Sequence, residues 1–472
     1  MHPGSVAFWG ASNDPTSMGT VQLNNLLTMK FDGPVYPMHP KESQIQGLKA
    51  YTRVKDVPGP IDLAVFVLPT RVVPEILEEC GQGGVKRAII VSAGFGEKGT
   101  EGKTAQNRLV EIARRYGITF VGPNCIGVVN VRHNLNTTFY PYDAQPGFIG
   151  MASQSGSFIT QMFSYLETRG LGFSQGFSVG NEAMTDIVDC LEYLGKCPET
   201  TVVALYIEAI RRGKDFIRVA REVSRVKPVV AYYVGGSKAG GRAGLSHTGA
   251  MAGPDQLYDG VFKQCGIIRA YSIEELFDFC SVLGSQPLPK GDRVAILTHS
   301  GGPGAAASDS AERSGLRMAE FAPSTVEKLK PLIPHTASTA NPVDLTFARN
   351  FEDYVEKLPR VLLEDDGVDA LFLYCLMPHR RVISMIIAAM IDDPAGAEAA
   401  ATQYIEGRCA TAAELSAQYG KPVVGGTYLN REEIFVRELQ DRGFPCLPSP
   451  ERAVKALAAL CRYAWFRKSL EA

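Results

Sequence analysis

An α/β protein of three consecutive units is predicted by two observations. Short β-branched, apolar runs alternate with amphipathic helical stretches along almost all of the 472 residues. Strands that are apolar throughout, each followed by a helix, belong to parallel sheets covered on both faces. Length is the second observation, because a chain this long supplies about three ordinary domains.

The first unit, residues 1–130, opens with the strand SVAFWG and a helix near Val21–Met29. PVYPM, DLAVFVL, RAIIVSAG and TFVGP are the next strands, with helices near Val72–Cys80 and Ala105–Tyr116. The second unit, residues 145–285, reads FIGMAS, a helix at Ser157–Arg169, FSQGFSVG, a helix at Ile187–Leu194, TVVALYIEAI, a helix at Phe216–Arg225, and PVVAYYVGG. A helix near Ile273–Leu283 ends it, and the prolines and glycine of SQPLPKG read as a linker. The third unit, residues 291–472, echoes the second. RVAILTHSGG parallels FIGMASQSG, VDALFLYCL parallels TVVALYIEA, and KPVVGGTYL parallels KPVVAYYVGG. This is one degenerate duplication and not a short-period solenoid. The alanine-rich stretch Asp392–Ala417 reads as a helix, with a less ordered insertion as the alternative.

Lys+Arg 48 against Asp+Glu 50 gives a net charge of −2, so no basic excess points to nucleic acid. No run of about 18 apolar residues is present to span a membrane, and no signal-like start precedes the first strand. The ten cysteines are scattered without CxxC spacing, as expected of packed thiols in a reducing cytoplasm.

Candidate chemistry sits at strand ends. Gly10, Ala11 and Ser12 close the first strand ahead of a helix, a place where backbone N–H groups and the helix dipole hold phosphate. The dinucleotide fingerprint GxGxxG is absent. The second strand runs into His39-Pro40-Lys41, where a NAD site carries an acidic residue. Lys41 suits a phosphate-rich ligand, and the competing reading of Gly10 is a tight turn. Cys125, in Gly122–Gly127, is either a nucleophile or a packed thiol; packing is favoured because no histidine adjoins it. Ser153, Ser155 and Gly156, between a strand and a helix, offer N–H and O–H donors to an anion or form a plain serine cap. The strongest signal is Ser246-His247-Thr248-Gly249-Ala250, preceded by a Gly- and Ala-rich stretch that reads as a mobile loop. An imidazole there can accept a phosphoryl group on one nitrogen if a carboxylate orients the other. Glu208, ending a strand of the same unit, is the candidate carboxylate; the competing reading of His247 is a hydrogen-bonded loop residue. The remaining histidines show no HxH or HExxH pattern, so no metal is expected in this chain.

Taken in order, GAS, His39-Pro40-Lys41, SAGFGEKG, GPNCIG, SQSGS, SVGNEA, YIEAI and SHTGAMAG resemble the α subunits of ADP-forming (NDP-forming) acyl-CoA synthetases of the acetate–CoA ligase type. These belong to the succinyl-CoA synthetase superfamily. The resemblance implies a Rossmann-like CoA-binding domain followed by two flavodoxin-like domains. It implies CoA at Gly10, Ala11, Ser12 and Lys41, a phosphohistidine at His247 supported by Glu208, and phosphate or acyl phosphate at Ser153, Ser155 and Gly156. His39 departs from the asparagine usual in the family. ATP or ADP with Mg would be held by a separate ATP-grasp β subunit in an α2β2 assembly, with a carboxylic acid and phosphate as the other reactants. Two other readings compete: a CoA-binding regulatory or scaffold protein of the same architecture, and a NAD-dependent oxidoreductase.

Overall fold

The structure, a computed structural model, describes residues 1–237, 253–346, 352–391 and 394–471. It divides into two compact units, one of residues 1–167 and 171–269, the other of residues 168–170 and 270–472.

The first sheet contains β1 (Val6–Trp9), β2 (Val35–Met38), β5 (Leu63–Phe66), β6 (Arg87–Ile90) and β7 (Thr119–Val121), in the order β2-β1-β5-β6-β7 and all parallel. A small antiparallel hairpin, β3 (Gln44–Ile45) and β4 (Leu48–Lys49), follows β2. The helices are α1 (Met18–Thr28), α2 (Val73–Gln82) and α3 (Thr100–Tyr116). Val6 and Phe8 join one core cluster, Ala7 and Trp9 another, and all four are buried. Two-sided burial is why period-2 alternation of polar and apolar residues is missing from these strands.

The second sheet starts before the predicted boundary near residue 145. β8 (Val128–Asn130) and β9 (Leu135–Asn136) pair antiparallel at its edge, β8 against β11 (Phe173–Ser178). Strands of three and two residues, turned at Asn134 with φ +51°, leave no hydrophobic period to read. β10 (Ile149–Ser153), β12 (Val202–Ile207), β13 (Val229–Tyr233) and β14 (Ile268–Ala270) complete the order β14-β13-β12-β10-β11-β8-β9. Its helices are α4 (Gly156–Glu167), α5 (Ile187–Lys196), α6 (Gly213–Ser224) and α7 (Asp255–Cys265).

The second unit begins with α8 (Ile273–Ser285). Its sheet has the order β16-β15-β18-β19-β20, with β15 (Arg293–Thr298), β16 (Arg317–Met318), β18 (Ala370–Tyr374), β19 (Val423–Gly426) and β20 (Cys446–Leu447); β17 (Val343–Asp344) also pairs with β15. Around it run α9 (Gly301–Arg313), α10 (Pro323–Leu329), α11 (Leu358–Leu363), α12 (Arg380–Ile391), α13 (Pro394–Tyr419), α14 (Ile434–Asp441) and α15 (Pro450–Ser469). The alanine-rich stretch is therefore a continuous helix over 394–419 and not a less ordered insertion. Ala397, Ala401, Ile405, Cys409 and Ala412 are buried along one stripe, and small side chains there permit close packing. Its neighbour α12, which the sequence did not predict, leaves Met385, Ile386 and Met390 exposed.

The duplication is visible atom by atom. Ser153 Oγ donates to Ser155 O at 2.7 Å and accepts Ser155 N–H at 3.2 Å. Thr298 Oγ1 donates to Ser300 O at 2.7 Å and accepts Ser300 N–H at 3.2 Å. A short hydroxyl at the last strand position thus shapes both strand-to-helix turns. No helix among the described residues is long and apolar enough to cross a membrane.

In the second unit, buried Asp278 of α8 takes a bidentate pair from Arg452 of α15, at 2.6 and 2.9 Å, and a third contact from Arg169 at 3.3 Å. Asp278→Ala removes the buried carboxylate that two guanidinium groups share, and the expected cost is about 3 kcal/mol. A urea denaturation midpoint unchanged from wild type would show that the cluster does not hold α8 to α15.

Candidate functional site

All three sheets share one winding pattern. Numbered within each sheet, the strand order is 2-1-3-4-5, counting β11-β10-β12-β13-β14 in the second and leaving β17 aside in the third. In such a sheet the connections leave the first and third strands in opposite directions, and a crevice opens between the carboxyl ends of those strands.

In the first sheet this crevice lies beyond β1 and β5. Gly10 occupies it with φ +100°, and a Cβ there would stand 1.9 Å from Val67 O, just past β5. Gly19, in the first turn of α1, is pressed against the same turn, where a Cβ would meet Gly10 O at 2.2 Å. Ala11 is buried. The Ser12 N–H is already bonded to Thr20 Oγ1 at 3.0 Å and its hydroxyl accepts the Asp14 N–H at 3.2 Å, so Ser12 shapes the turn with both groups. The helix itself starts at Met18, capped by Ser17, later than a helix springing directly from Gly10-Ala11-Ser12. Asn13 and Gln46 tie this turn to the β3–β4 hairpin, by Asn13 Nδ2 to Gln44 O at 3.0 Å and Gln46 Nε2 to Ser12 O at 3.1 Å. Lys41 is exposed at the end of β2, the neighbour of β1. His39 Nδ1 accepts the N–H groups of Lys41 and Glu42 at 3.2 and 2.9 Å. An asparagine oxygen makes the same two-residue turn, so the imidazole substitutes for it in shape.

In the second sheet the crevice lies beyond β10 and β12, and Gln154 fills it. Its Oε1 accepts the N–H groups of Glu208 at 2.6 Å and Ala209 at 3.0 Å; its Nε2 donates to Ala209 O at 2.7 Å and Glu182 Oε2 at 2.9 Å. One amide thereby joins the loops after β10, β11 and β12. Next to it a cavity of about 620 Å³ is lined by Ser155, Gly156 and Ser157 at the start of α4, and by Lys103, Asn124, Asn181 and Arg211 from other segments. Asn181 is a second hub. Its Nδ2 donates to Glu97 Oε2 at 2.5 Å and Gln106 Oε1 at 3.0 Å, its Oδ1 accepts from Asn124 Nδ2 at 3.1 Å, and its carbonyl accepts from Arg211 at 2.8 Å.

The electrostatics favour an anion. The first-turn N–H groups of α4 point outward without intrahelical acceptors, and Lys103 and Arg211 add positive charge. Two carboxylates flank this positive ground. Burial pushes Glu97 up, but hydrogen bonds from Asn181, Gly94 and Phe95 prevail and hold it below the ordinary carboxylate range. Glu182 is the opposite case. Burial raises it to about 7, outweighing the Ile187 N–H, Arg211 and Gln154, while Asp186 pushes further up. Its backbone is strained as well, with φ +54°.

Of the sequence-predicted residues, Ser155 and Gly156 line the cavity, whereas Ser153 is fully buried and braces the loop from below. Glu208 stands beside the cavity's wall, its backbone N–H held by Gln154. His247 and its motif lie outside the described residues. Cys125 is a packed thiol: it is buried, donates to Ile90 O at 3.3 Å, and burial pushes it up to about 12. Sequence reasoning singled out neither Gln154, Glu182 and Asn181 as site residues nor Lys103 and Arg211. All except Lys103 sit just after strands β10, β11 or β12, and position at a carboxyl end was the one signal available.

Residues 4–131 match the CoA binding domain, residues 146–283 the Succinyl-CoA ligase like flavodoxin domain, and residues 294–409 the Ligase-CoA domain. The chain is 39% identical, over 98% of its length and 97% of the relative's, to acetate–CoA ligase [ADP-forming] II subunit alpha of Pyrococcus furiosus. It is 37% identical to the I subunit alpha of the same organism, over 100% of this chain and 98% of that one. Among solved structures, the dinucleotide-forming acetyl-coenzyme A synthetase 1 of Candidatus Korarchaeum cryptofilum, in complex with phosphate and ADP, superposes with a TM-score of 0.88 at 33% identity, covering 100% of this chain and 97% of that one.

Glu182 makes stability depend on pH in a defined direction. Between about 4.5 and 7 the folded chain keeps a proton that the unfolded chain has lost. Its contribution is therefore full below that window and gone above it. Glu182→Gln carries no charge at any pH, so its stability relative to wild type is expected to rise by roughly 2–3 kcal/mol from pH 4.5 to 8. Denaturation curves at the two pH values measure the change, and a constant difference removes Glu182 as the source.

Proposed function

The chain belongs to the family of ADP-forming acetate–CoA ligase α subunits within the succinyl-CoA synthetase superfamily, and on that premise we propose that it interconverts acyl-CoA, ADP and phosphate with a carboxylic acid, CoA and ATP. One observation carries this reading. Segments far apart in sequence, at 97–106, 124–126, 154–157, 180–181 and 211, surround a single cavity rich in anion donors.

The chemistry runs through two covalent carriers. Phosphate attacks the thioester carbonyl of acyl-CoA, the C–S bond breaks, and CoA leaves with the proton that phosphate gives up. The acyl phosphate formed lies against Ser155, Gly156 and Ser157, whose N–H groups stabilise the phosphoryl oxygens. An imidazole nitrogen of His247 then attacks phosphorus and the carboxylate departs. Glu208 orients the other nitrogen and balances the positive charge that develops on the ring. The phosphohistidine finally passes its phosphoryl group to ADP. Each carrier splits one difficult transfer into two easier ones. Ser153 contributes by bracing the turn that presents Ser155.

CoA is assigned to the crevice of the first sheet. Its pyrophosphate would lie at the Gly10-Ala11-Ser12 turn, which admits no Cβ, with Lys41 as counter-charge from the neighbouring strand end. ADP and Mg are assigned to a separate ATP-grasp β subunit in an α2β2 assembly. Support for a separate subunit comes from the two Pyrococcus relatives, which this chain matches almost end to end and which are named as α subunits.

With the partner subunit and γ-labelled ATP, the chain should take up acid-labile, alkali-stable label. Glu208→Gln should slow labelling about a hundredfold or more, by analogy with other carboxylates that orient a histidine. Undiminished label in His247→Ala excludes His247 as the carrier.

Calorimetric titration of the full chain should show CoA binding and no NAD binding. Gly10→Ala should weaken CoA at least tenfold, because the new methyl collides with Val67 O. Heat from NAD with none from CoA would return the oxidoreductase reading.

A further inference from the structure

At the amino ends of β11 and β12, the end of the sheet opposite the cavity, three ligand-type side chains from distant segments converge. A ligand atom from each of His2, His133 and Glu199 lies within 4.8 Å of the other two. The His2 and His133 rings meet edge to face with centroids 3.6 Å apart. His133 closes the single helical turn that joins β8 to β9, and Asn130 Nδ2, just before that turn, donates to Met1 O at 2.8 Å. That bond fixes the backbone that presents His2.

Glu199 is held equally firmly. Gln175 Nε2 donates to Cys197 Sγ at 3.1 Å, and the Cys197 thiol donates to Glu199 Oε2 at 3.0 Å. The other carboxylate oxygen, Oε1, is left facing His133 Nε2 at 3.9 Å. That distance is too long for a hydrogen bond, and Nε2 is buried with no hydrogen-bond partner. A buried ring nitrogen without a hydrogen bond thus faces an oriented carboxylate and is flanked by a second imidazole.

We propose that His2, His133 and Glu199 bind a transition-metal dication of the Zn²⁺ class. Two imidazoles and one carboxylate oxygen are the donor set that borderline dications take, with bonds of about 2.0–2.2 Å. The three donor atoms already lie within 4.8 Å of one another, and the exposed His2 side leaves room for water as a further ligand. Cys197 serves as the outer partner that orients the carboxylate. The ion ties the chain's first residues to the β8–β9 turn and to the loop before β12, so it acts as a staple of the second sheet and takes no part in phosphoryl transfer. Sequence spacing carried no sign of it, because each ligand comes from a different segment.

The test uses tag-free, metal-stripped full chain titrated with Zn²⁺ by calorimetry and with Co²⁺ by visible absorption. One ion per chain is expected, with a rise in Tm. His133→Ala and Glu199→Gln should each weaken binding at least tenfold and remove the Tm response, while CoA binding stays intact as proof of fold. No saturable binding at 100 µM Zn²⁺ overturns the proposal. So does binding of undiminished affinity in both variants, which would place the ion elsewhere, at a thiol for instance.

Discussion

A parallel sheet whose winding reverses once must leave a gap at the reversal, because the two connections diverge there and no helix covers the strand ends between them. Both candidate anion sites in this chain hang on that constraint, which recurs in all three large sheets. The gap exposes backbone amides that still require partners. In the first sheet it is narrowed by backbone alone, with Gly10 set against Val67 and Gly19 against Gly10. In the second it is bridged by a side chain, Gln154, whose four hydrogen bonds satisfy backbone and side-chain groups that would otherwise need water. The first solution leaves a bare turn suited to a ligand that approaches main chain. The second leaves a firm floor beneath a cavity.

That floor decides what the cavity can bind. Hydrogen bonds among Gln154, Asn181, Asn124, Gln106 and Glu97 fix the walls before any ligand arrives. Donors held in place cost no reorganisation when charge builds on a phosphoryl group, which is where electrostatic catalysis gains most. Flexible lysines at the same distances would lose much of that advantage to side-chain entropy.

The sequence made the strand and helix order legible because two-sided burial writes itself as unbroken apolar runs such as VAFW, LAVF and VVALYI. The duplication was legible for the same reason, and its atomic counterpart is the matching turn at Ser153 and Thr298. The antiparallel pair at 128–136 was not, since two or three residues carry no period. Glycine and serine at strand ends located the crevices, and Ser155 and Gly156 do line the cavity. Ser153 belongs to the same motif yet points into the protein, a distinction that depends on side-chain direction at consecutive strand residues. Gln154 and Asn181 were hidden because their importance lies in whom they reach, and those partners are distant in sequence.

Glu97 lines a cavity whose proposed occupants are anions, Glu182 and Glu208 are bonded to Gln154 in its wall, and three full negative charges there would oppose an anion. The structure answers this differently for two of them. Glu97 is held ionised by N–H donors from its own loop and by Asn181, which take up part of its charge. Glu182 is buried until its proton becomes hard to lose near neutral pH. A carboxyl whose proton is held by burial can hold Gln154 and the start of α5 without presenting a full charge to phosphate. In the proposed mechanism Glu208, whose backbone N–H is held by Gln154, is the carboxylate that orients the imidazole. With the charge of Glu97 hydrogen-bonded and that of Glu182 held down by burial, the start of α4, Lys103 and Arg211 keep the cavity attractive to anions.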